Sequence, residues 1–516
     1  MRIRSTLLAI AIASIAAVPA FAQDVVLKVD AGKPGAKIDR HIFGQFAEHL
    51  GHGIYEGIWV GKDSTIPNTR GVRNDVVAAL RDLKVPNIRW PGGCFADEYH
   101  WRNGIGPKDQ RRAMVNTNWG GVMEPNEFGT HEFFDFIEQV GADAYISVNV
   151  GSGTVQEAAD WLEYMTAVHP TALAKERIAN GRKEAFQVPF VGLGNENWGC
   201  GGAMSGDYYV DLMKVFARYT RNYDPSQKMK QIAVGPDGAK TEYTEAVMKA
   251  WSERVWSWNL DGLSLHNYTV NGWPPSVKAT GFGEAEYAKF LQETLGMDQM
   301  IRTHSAIMDK YDPEKKVALV VDEWGSWLAP TEGSTPGFLV QQNSMRDAIL
   351  AALNINIFAR HAERVRMANI AQMVNVLQAM IFTDKEKMLL TPTYHVFHMY
   401  VPFQDATFVP VAFDKGSYKV GDIILPRVDA IAAKDAQGML WVAVTNVDAT
   451  RPVEIGLDVP GFDAASATGQ LLAAPRMDSV NTFDAARTVA PAPAKLEGTT
   501  LRLPPHSVAV VGLKPR

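Results

Sequence analysis

Cysteine is nearly missing from this chain. Only Cys94 and Cys200 occur in 516 residues, which excludes a disulfide framework as the source of the fold. No basic excess is present either. With 51 Lys and Arg against 57 Asp and Glu the net charge is −6, and no cationic stripe offers itself to phosphates, so no nucleic-acid partner is expected. No apolar run reaches the roughly 18 residues of a membrane-spanning helix, so no membrane anchor is expected. The 12 histidines include no His-Glu-x-x-His pair, and there is no Gly-x-Ser-x-Gly elbow. Gly51-His52-Gly53 and Gly151-Ser152-Gly153 fall short of a phosphate-binding loop and read as turns. Neither a catalytic metal nor a cofactor is expected.

What is present begins with Met1-Arg2-Ile3-Arg4, an apolar run from Leu7 to Val18, and Pro19-Ala20-Phe21-Ala22 before Gln23. That is the basic, apolar and Ala-x-Ala order of a secretory signal, so residues 1–22 are expected to be a signal peptide and the mature protein periplasmic or secreted. The chain is 46% hydrophobic and 21% charged, an ordinary globular composition. Its length accommodates a barrel of about 250 residues or more together with a second domain.

From about residue 40 to residue 384, short apolar or β-branched runs alternate with amphipathic helical stretches. The runs are Ile42-Glu48, Asn87-Pro91, Ala144-Val150, Phe190-Gly194, Gln231-Val234, Gly262-His266, Val317-Asp322 and Met367-Gln372. Eight parallel strands predict an α/β fold, a (β/α)8 TIM barrel; an open doubly wound sheet is the competing arrangement. Thr154 to Glu157 reads as a capping box opening a helix. Residues 385–516 lose the helical period and break into short alternating segments, the pattern of a β-sandwich. The segment 23–39 carries Val25, Val26, Leu27 and Val29 and is expected to add a strand to that sandwich.

Active sites of such barrels sit at the C-terminal ends of the strands, so polar residues that end apolar runs are the ones to inspect. Two glutamates do so. Phe190 to Gly194 ends in Asn195-Glu196-Asn197-Trp198, and Val317 to Val321 ends in Asp322-Glu323-Trp324. These fall on strands four and seven, and opposed carboxylates across a barrel mouth suit glycoside hydrolysis. The alternative is that either is an ordinary surface acid, as most glutamates are. Asn126-Glu127 is a control: it follows Pro125, ends no apolar strand, and reads as a loop.

Six motifs then occur in a set order: Phe46-Ala47-Glu48-His49, Arg89-Trp90-Pro91-Gly92-Gly93-Cys94, Gly194-Asn195-Glu196, Ser264-Leu265-His266-Asn267-Tyr268, Asp322-Glu323-Trp324 and Ala371-Gln372-Met373-Val374-Asn375. From about Ile38 to the C-terminus the chain resembles glycoside hydrolase family 51, whose members are mainly α-L-arabinofuranosidases. The resemblance implies a retaining, exo-acting enzyme on arabinose-containing oligo- or polysaccharides, a barrel with a C-terminal β-sandwich, and a homo-oligomer. It also implies roles. Glu196 would be acid/base and Glu323 nucleophile, with Arg89 on the nucleophile and Asn195 on the sugar 2-hydroxyl. Glu48 and Gln372 would bind sugar hydroxyls, and Tyr268 and His266 would support the carboxylates. Trp101, Trp198, Trp324 and Trp327 either form aromatic walls, Trp198 first among them, or simply pack under loops. Cys94 occupies a substrate-binding position where many members carry Asn, and sulfur is a poor replacement for an amide donor.

Cys94 and Cys200 follow the tips of strands two and four, which come close at a barrel rim, so a disulfide is feasible if their Cα atoms lie within about 7 Å. Two free buried thiols are the alternative. Two other functions share the barrel: an endo-acting β-glycanase with the same carboxylate pair, and a non-catalytic sugar-binding protein.

Overall fold

The computed structural model describes residues 24–516; the signal-peptide reading of residues 1–22 lies outside them. Eight strands close into a parallel barrel: β1 (Gly44–Phe46), β2 (Asn87–Trp90), β3 (Asp143–Val148), β4 (Phe190–Leu193), β5 (Lys230–Ala233), β6 (Gly262–Thr269), β7 (Ala318–Ser326) and β8 (Val365–Ile370). Each corresponds to one of the eight apolar runs. Strands β6 and β7 run longer than the others and carry Tyr268 and Glu323 within the strand pairing, with His266 opposite Glu323. A slip in register between Ser264 and His266 marks the point where β6 turns from barrel wall to site wall.

Helices cover the barrel with their apolar faces inward. Val155–Thr166 starts at Thr154, whose side chain accepts from the Glu157 amide. Helix Met345–Arg360 is buried along almost its whole length because it lies between the barrel and the second domain, where its Asn356 and Arg360 donate to Asp429. The eighth covering helix, Pro392–Tyr400, lies beyond residue 384, because the hairpin Ile381–Asp384 with Lys387–Leu390 is inserted ahead of it. Phe397 of that helix stacks on Trp324 from β7.

The C-terminal domain is a sandwich of a six-stranded and a five-stranded sheet. Val442, Val444, Val511 and Leu513 from one sheet meet Leu27, Ile455, Leu501 and Leu503 from the other in a separate core. The strand Val25–Val29 lies in the five-stranded sheet, parallel to Val453–Asp458 and antiparallel to Val411–Ala412. Its alternating pattern buries Val25, Leu27 and Val29 and exposes Val26 and Lys28.

Candidate active site

The barrel mouth gathers polar residues from the ends of six of its strands, β1, β2, β4, β6, β7 and β8, around two carboxylates. Glu196 follows β4, where Gly194 takes a φ of +99° and lets the chain turn sharply out of the strand. Glu323 sits in β7, opposite His266. Carboxylate oxygens of Glu196 and Glu323 and the His266 ring nitrogen lie within 4.8 Å of one another. His266 joins three acids: its Nδ1 is 2.7 Å from Glu196 Oε1 and 3.5 Å from Glu323 Oε2, and its Nε2 is 3.2 Å from Asp322 Oδ1. Burial pulls the His266 pKa down, but the charges of Glu323 and Asp322 outweigh it and hold it up at about 10. The ring is therefore a cation at neutral pH, and Nδ1–H donates to Glu196.

Burial raises the Glu196 carboxyl above its ordinary range, against the opposing His266 hydrogen bond and with a further push from Glu323. Asp322 goes the other way: burial is outweighed by Arg89 and His266, and its pKa is lowered. Glu323 is held from two sides. Arg89 Nη1 donates to Oε1 at 2.8 Å and Tyr268 Oη donates to Oε2 at 2.9 Å. Arg89 itself is buried, with its guanidinium over the Phe46 ring at 4.7 Å.

The same guanidinium orients Asn195. Arg89 Nη2 donates to Asn195 Oδ1, and because a guanidinium can only donate, the amide oxygen faces it. The amide NH2 then points toward Cys200, 3.8 Å from its sulfur. At the other side Glu48 Oε1 accepts from the Gly93 and Phe95 amides and from Trp119 Nε1, and Oε2 accepts from Gln372 Nε2 at 3.0 Å. Burial, together with the charge of Glu323, pushes the Glu48 carboxyl up to about 7. Gln372 Oε1 is buried without a hydrogen-bond partner among the described residues.

Cys94 and Cys200 are joined in a disulfide with a Cα separation of 5.6 Å, and Cys200 Sγ lies 3.6 Å from Glu196 Oε2. As a disulfide sulfur, Cys94 donates no hydrogen bond. Trp198 is half-buried, its Nε1 donating to the Gly235 carbonyl and its face covered by Lys240. Trp327 stands edge-on to Tyr268 and to the exposed Trp273. Trp324 and Trp101 are corrected as wall candidates: both are buried in the core, Trp101 stacked on Trp161 and Trp324 between Phe358 and Phe397. Glu127 is exposed in a loop, its carbonyl accepting from Arg111.

Three residues escape the strand-tip reading. Trp119 comes from a loop, Tyr145 from inside β3, and Asp97 from a single 3-10 turn. Asp97 Oδ1 accepts from the Val150 and Gly151 amides and Oδ2 from the Asn195 amide, so one buried carboxylate ties the tips of β3 and β4 together. The acid two residues before Tyr99 in the loop after β2 is its only sequence signal.

Two family models match the chain: an α-L-arabinofuranosidase 1 domain over residues 79–249 and an α-L-arabinofuranosidase C-terminal domain over residues 322–507. An intracellular exo-α-L-arabinofuranosidase of Bacteroides ovatus is 45% identical over 95% of this chain and 95% of its own. The chain belongs to the α-L-arabinofuranosidases of glycoside hydrolase family 51. The crystal structure of a GH51 arabinofuranosidase from Xanthomonas axonopodis pv. citri matches with a TM-score of 0.92 at 52% identity, covering 96% of this chain and 100% of that one. An arabinose complex of the Thermotoga maritima α-L-arabinofuranosidase matches at 0.80 and 29% identity, covering 95% and 99%. The location is corrected by the same comparison. The Bacteroides ovatus family member, alike over nearly its whole length, is named intracellular, against the periplasmic or secreted location expected from residues 1–22. A basic start and a short apolar run are a compositional signal only, and the described residues do not include them.

Proposed function

We propose that the protein is a retaining, exo-acting α-L-arabinofuranosidase that releases terminal arabinofuranose from arabinose-containing oligo- or polysaccharides. The observation that carries the reading is the carboxylate spacing. One oxygen of Glu196 and one of Glu323 lie within 4.8 Å of each other, an approach that suits the roughly 5 to 5.5 Å carboxyl separation of double displacement better than the roughly 6.5 to 9.5 Å of an inverting pair.

In this reading Glu323 attacks the anomeric carbon while Glu196 protonates the departing oxygen. The raised pKa of Glu196 keeps its proton available for that step. Glu323 carries two charge-assisted or phenolic hydrogen bonds, from Arg89 and Tyr268, that fix its direction of attack. Once the glycosyl-enzyme forms, Glu196 is an anion, and the cationic His266 beside it favours that form until it takes a proton from water. Asn195 presents its NH2 toward the sugar 2-hydroxyl, and the unpartnered Gln372 Oε1 next to Glu48 accepts from a hydroxyl deeper in the pocket. Trp198 bounds the site, and Cys94 packs against the sugar through its sulfur. The homo-oligomer implied by the family belongs to the same proposal and is read by light scattering.

The test is a substrate panel. Aryl α-L-arabinofuranoside and arabino-oligosaccharides should be turned over with single arabinose units as product and with retention at the anomeric carbon. Cleavage of polymeric β-glucan in its place would move the protein to the endo-acting reading, and no turnover of any glycoside would leave only sugar binding.

A further inference from the structure

The only two cysteines of the chain stand side by side at the acid/base carboxylate, and one of them is open to solvent. Cys200 is exposed, Cys94 half-buried, and Cys200 Sγ lies 3.6 Å from Glu196 Oε2. That oxygen is not the one bonded to His266, which uses Oε1. One oxygen of Glu196 is therefore committed to the histidine and the other faces sulfur.

We propose that reduction of the Cys94–Cys200 bond uncovers a site for a soft divalent cation, built from the two cysteine thiolates and Glu196 Oε2, and that a zinc ion bound there stops turnover. The inhibition, though not the binding, rests on Glu196 being the acid/base.

The donor set is two thiolates and one carboxylate, which suits zinc and leaves a fourth position for water. The spacing suits it too. Zinc–sulfur bonds of about 2.3 Å and zinc–oxygen bonds of about 2.0 Å in a tetrahedron put sulfur and oxygen about 3.5 Å apart and the two sulfurs about 3.8 Å apart. The sulfur–oxygen distance is already 3.6 Å, and one sulfur from each cysteine and one Glu196 oxygen lie within 4.8 Å of one another.

Hydrogen bonds, and not the disulfide alone, hold the backbone that presents these atoms. Asp97 bonds the Asn195 amide to the loop that carries Cys94, the Gly199 and Gly201 amides close a turn on the Glu196 carbonyl, and the Met204 amide bonds to Asn197. The Cα separation of 5.6 Å is thus held by hydrogen bonds on both sides of the bridge. The reduction consumes two electrons and two protons: a dithiol supplies both, whereas a phosphine supplies the electron pair and water the two protons. The S–S bond breaks, each sulfur becomes a thiol, and with a phosphine the oxygen of one water ends on phosphorus. Zinc then displaces both thiol protons to solvent.

The experiment uses the full chain, reduced with a water-soluble phosphine, freed of it under inert gas and dialysed against zinc chloride. Thiol titration should find two thiols, and the reduced protein should retain one zinc per chain at least 100-fold more tightly than the oxidised protein. Cys200→Ser and Glu196→Gln should each weaken zinc binding at least tenfold, while their melting temperatures report whether they fold. The wild-type comparison of the two redox states needs no substitution. Zinc should lower turnover of an aryl arabinofuranoside by the reduced enzyme at least tenfold, reversibly with a chelator, and leave the oxidised enzyme unaffected. Failure of the phosphine to open the bond, or no zinc on the dithiol form, overturns the proposal. Equal binding in both states also overturns it, by moving the metal to Glu196, His266 and Glu323, which need no reduction. Zinc retention is read without catalysis, so its failure leaves the glycosidase reading intact.

Discussion

His266 shows how one side chain sets the working range of another. It donates to Glu196 while lying between Glu323 and Asp322, and its positive charge opposes the effect of burial on the Glu196 carboxyl. In His266→Ala that cation is gone, the anionic form of Glu196 loses a partner, and its proton is held to higher pH. A hydrogen bond to a charged group is worth about 1.5–3 kcal/mol and one pKa unit about 1.4 kcal/mol. The alkaline limb of the kcat/KM profile should move up by about one unit or more; an unmoved limb would mean the pair is not electrostatically linked. His266 was legible as the end of an apolar run, while Tyr268 lay beyond that run and was marked only by the family motif the two share. Trp119 and Asp97 were not, because they reach the site from irregular loops where no period of 2 or 3.6 marks which way a side chain points.

At the scale of elements, the two catalytic candidates were readable because an apolar run ends abruptly at each, and burial of both strand faces demands such runs in a parallel barrel. The extra length of β6 and β7 was not readable, since polar residues that line a pocket break the apolar run that announces a strand. Nor was the position of the eighth covering helix, displaced past residue 384 by an inserted hairpin. The loop after β2 makes a testable demand. A Cβ on Gly93 would lie 3.0 Å from Glu323 Oε1 and 3.3 Å from Glu48 Oε1, tight enough that both carboxylates would have to give by a few tenths of an ångström. Displacement of a reacting group by a fraction of an ångström to 1 Å costs up to about 100-fold. Gly93→Ala should lower kcat about 10- to 100-fold with an unchanged circular dichroism spectrum, whereas full activity would show that the loop does not set the carboxylate positions.

Across the whole molecule, the first described strand is held by the last domain, more than 400 residues away in sequence. Leu27 is fully buried in the sandwich core among Ile455, Leu501 and Val511. Truncation of such a side chain costs about 2–5 kcal/mol. Leu27→Ala should lower the denaturant midpoint of the sandwich, followed by Trp441 fluorescence, while the barrel residues at the site are untouched. A midpoint equal to that of the wild type would show that the N-terminal strand contributes no stability. The sandwich was legible from alternation alone; the location of the protein was not, because the N-terminal composition points to export while a family member alike over nearly its whole length is named intracellular.

Glu196 and Glu323 divide the work of double displacement between them, and azide separates their roles. Glu196→Ala should still form the glycosyl-enzyme from an activated aryl α-L-arabinofuranoside, because such a leaving group needs little protonation, and should then stall for want of a base. Azide attacks that intermediate without base assistance, and two inversions give the α-azide. Glu323→Ala forms no intermediate, so azide entering the vacated face gives the β-azide by one inversion. Glu196→Ala should give the α-azide and Glu323→Ala the β-azide; the opposite assignment of products would reverse the two roles, and near wild-type turnover by both variants would contradict the site itself.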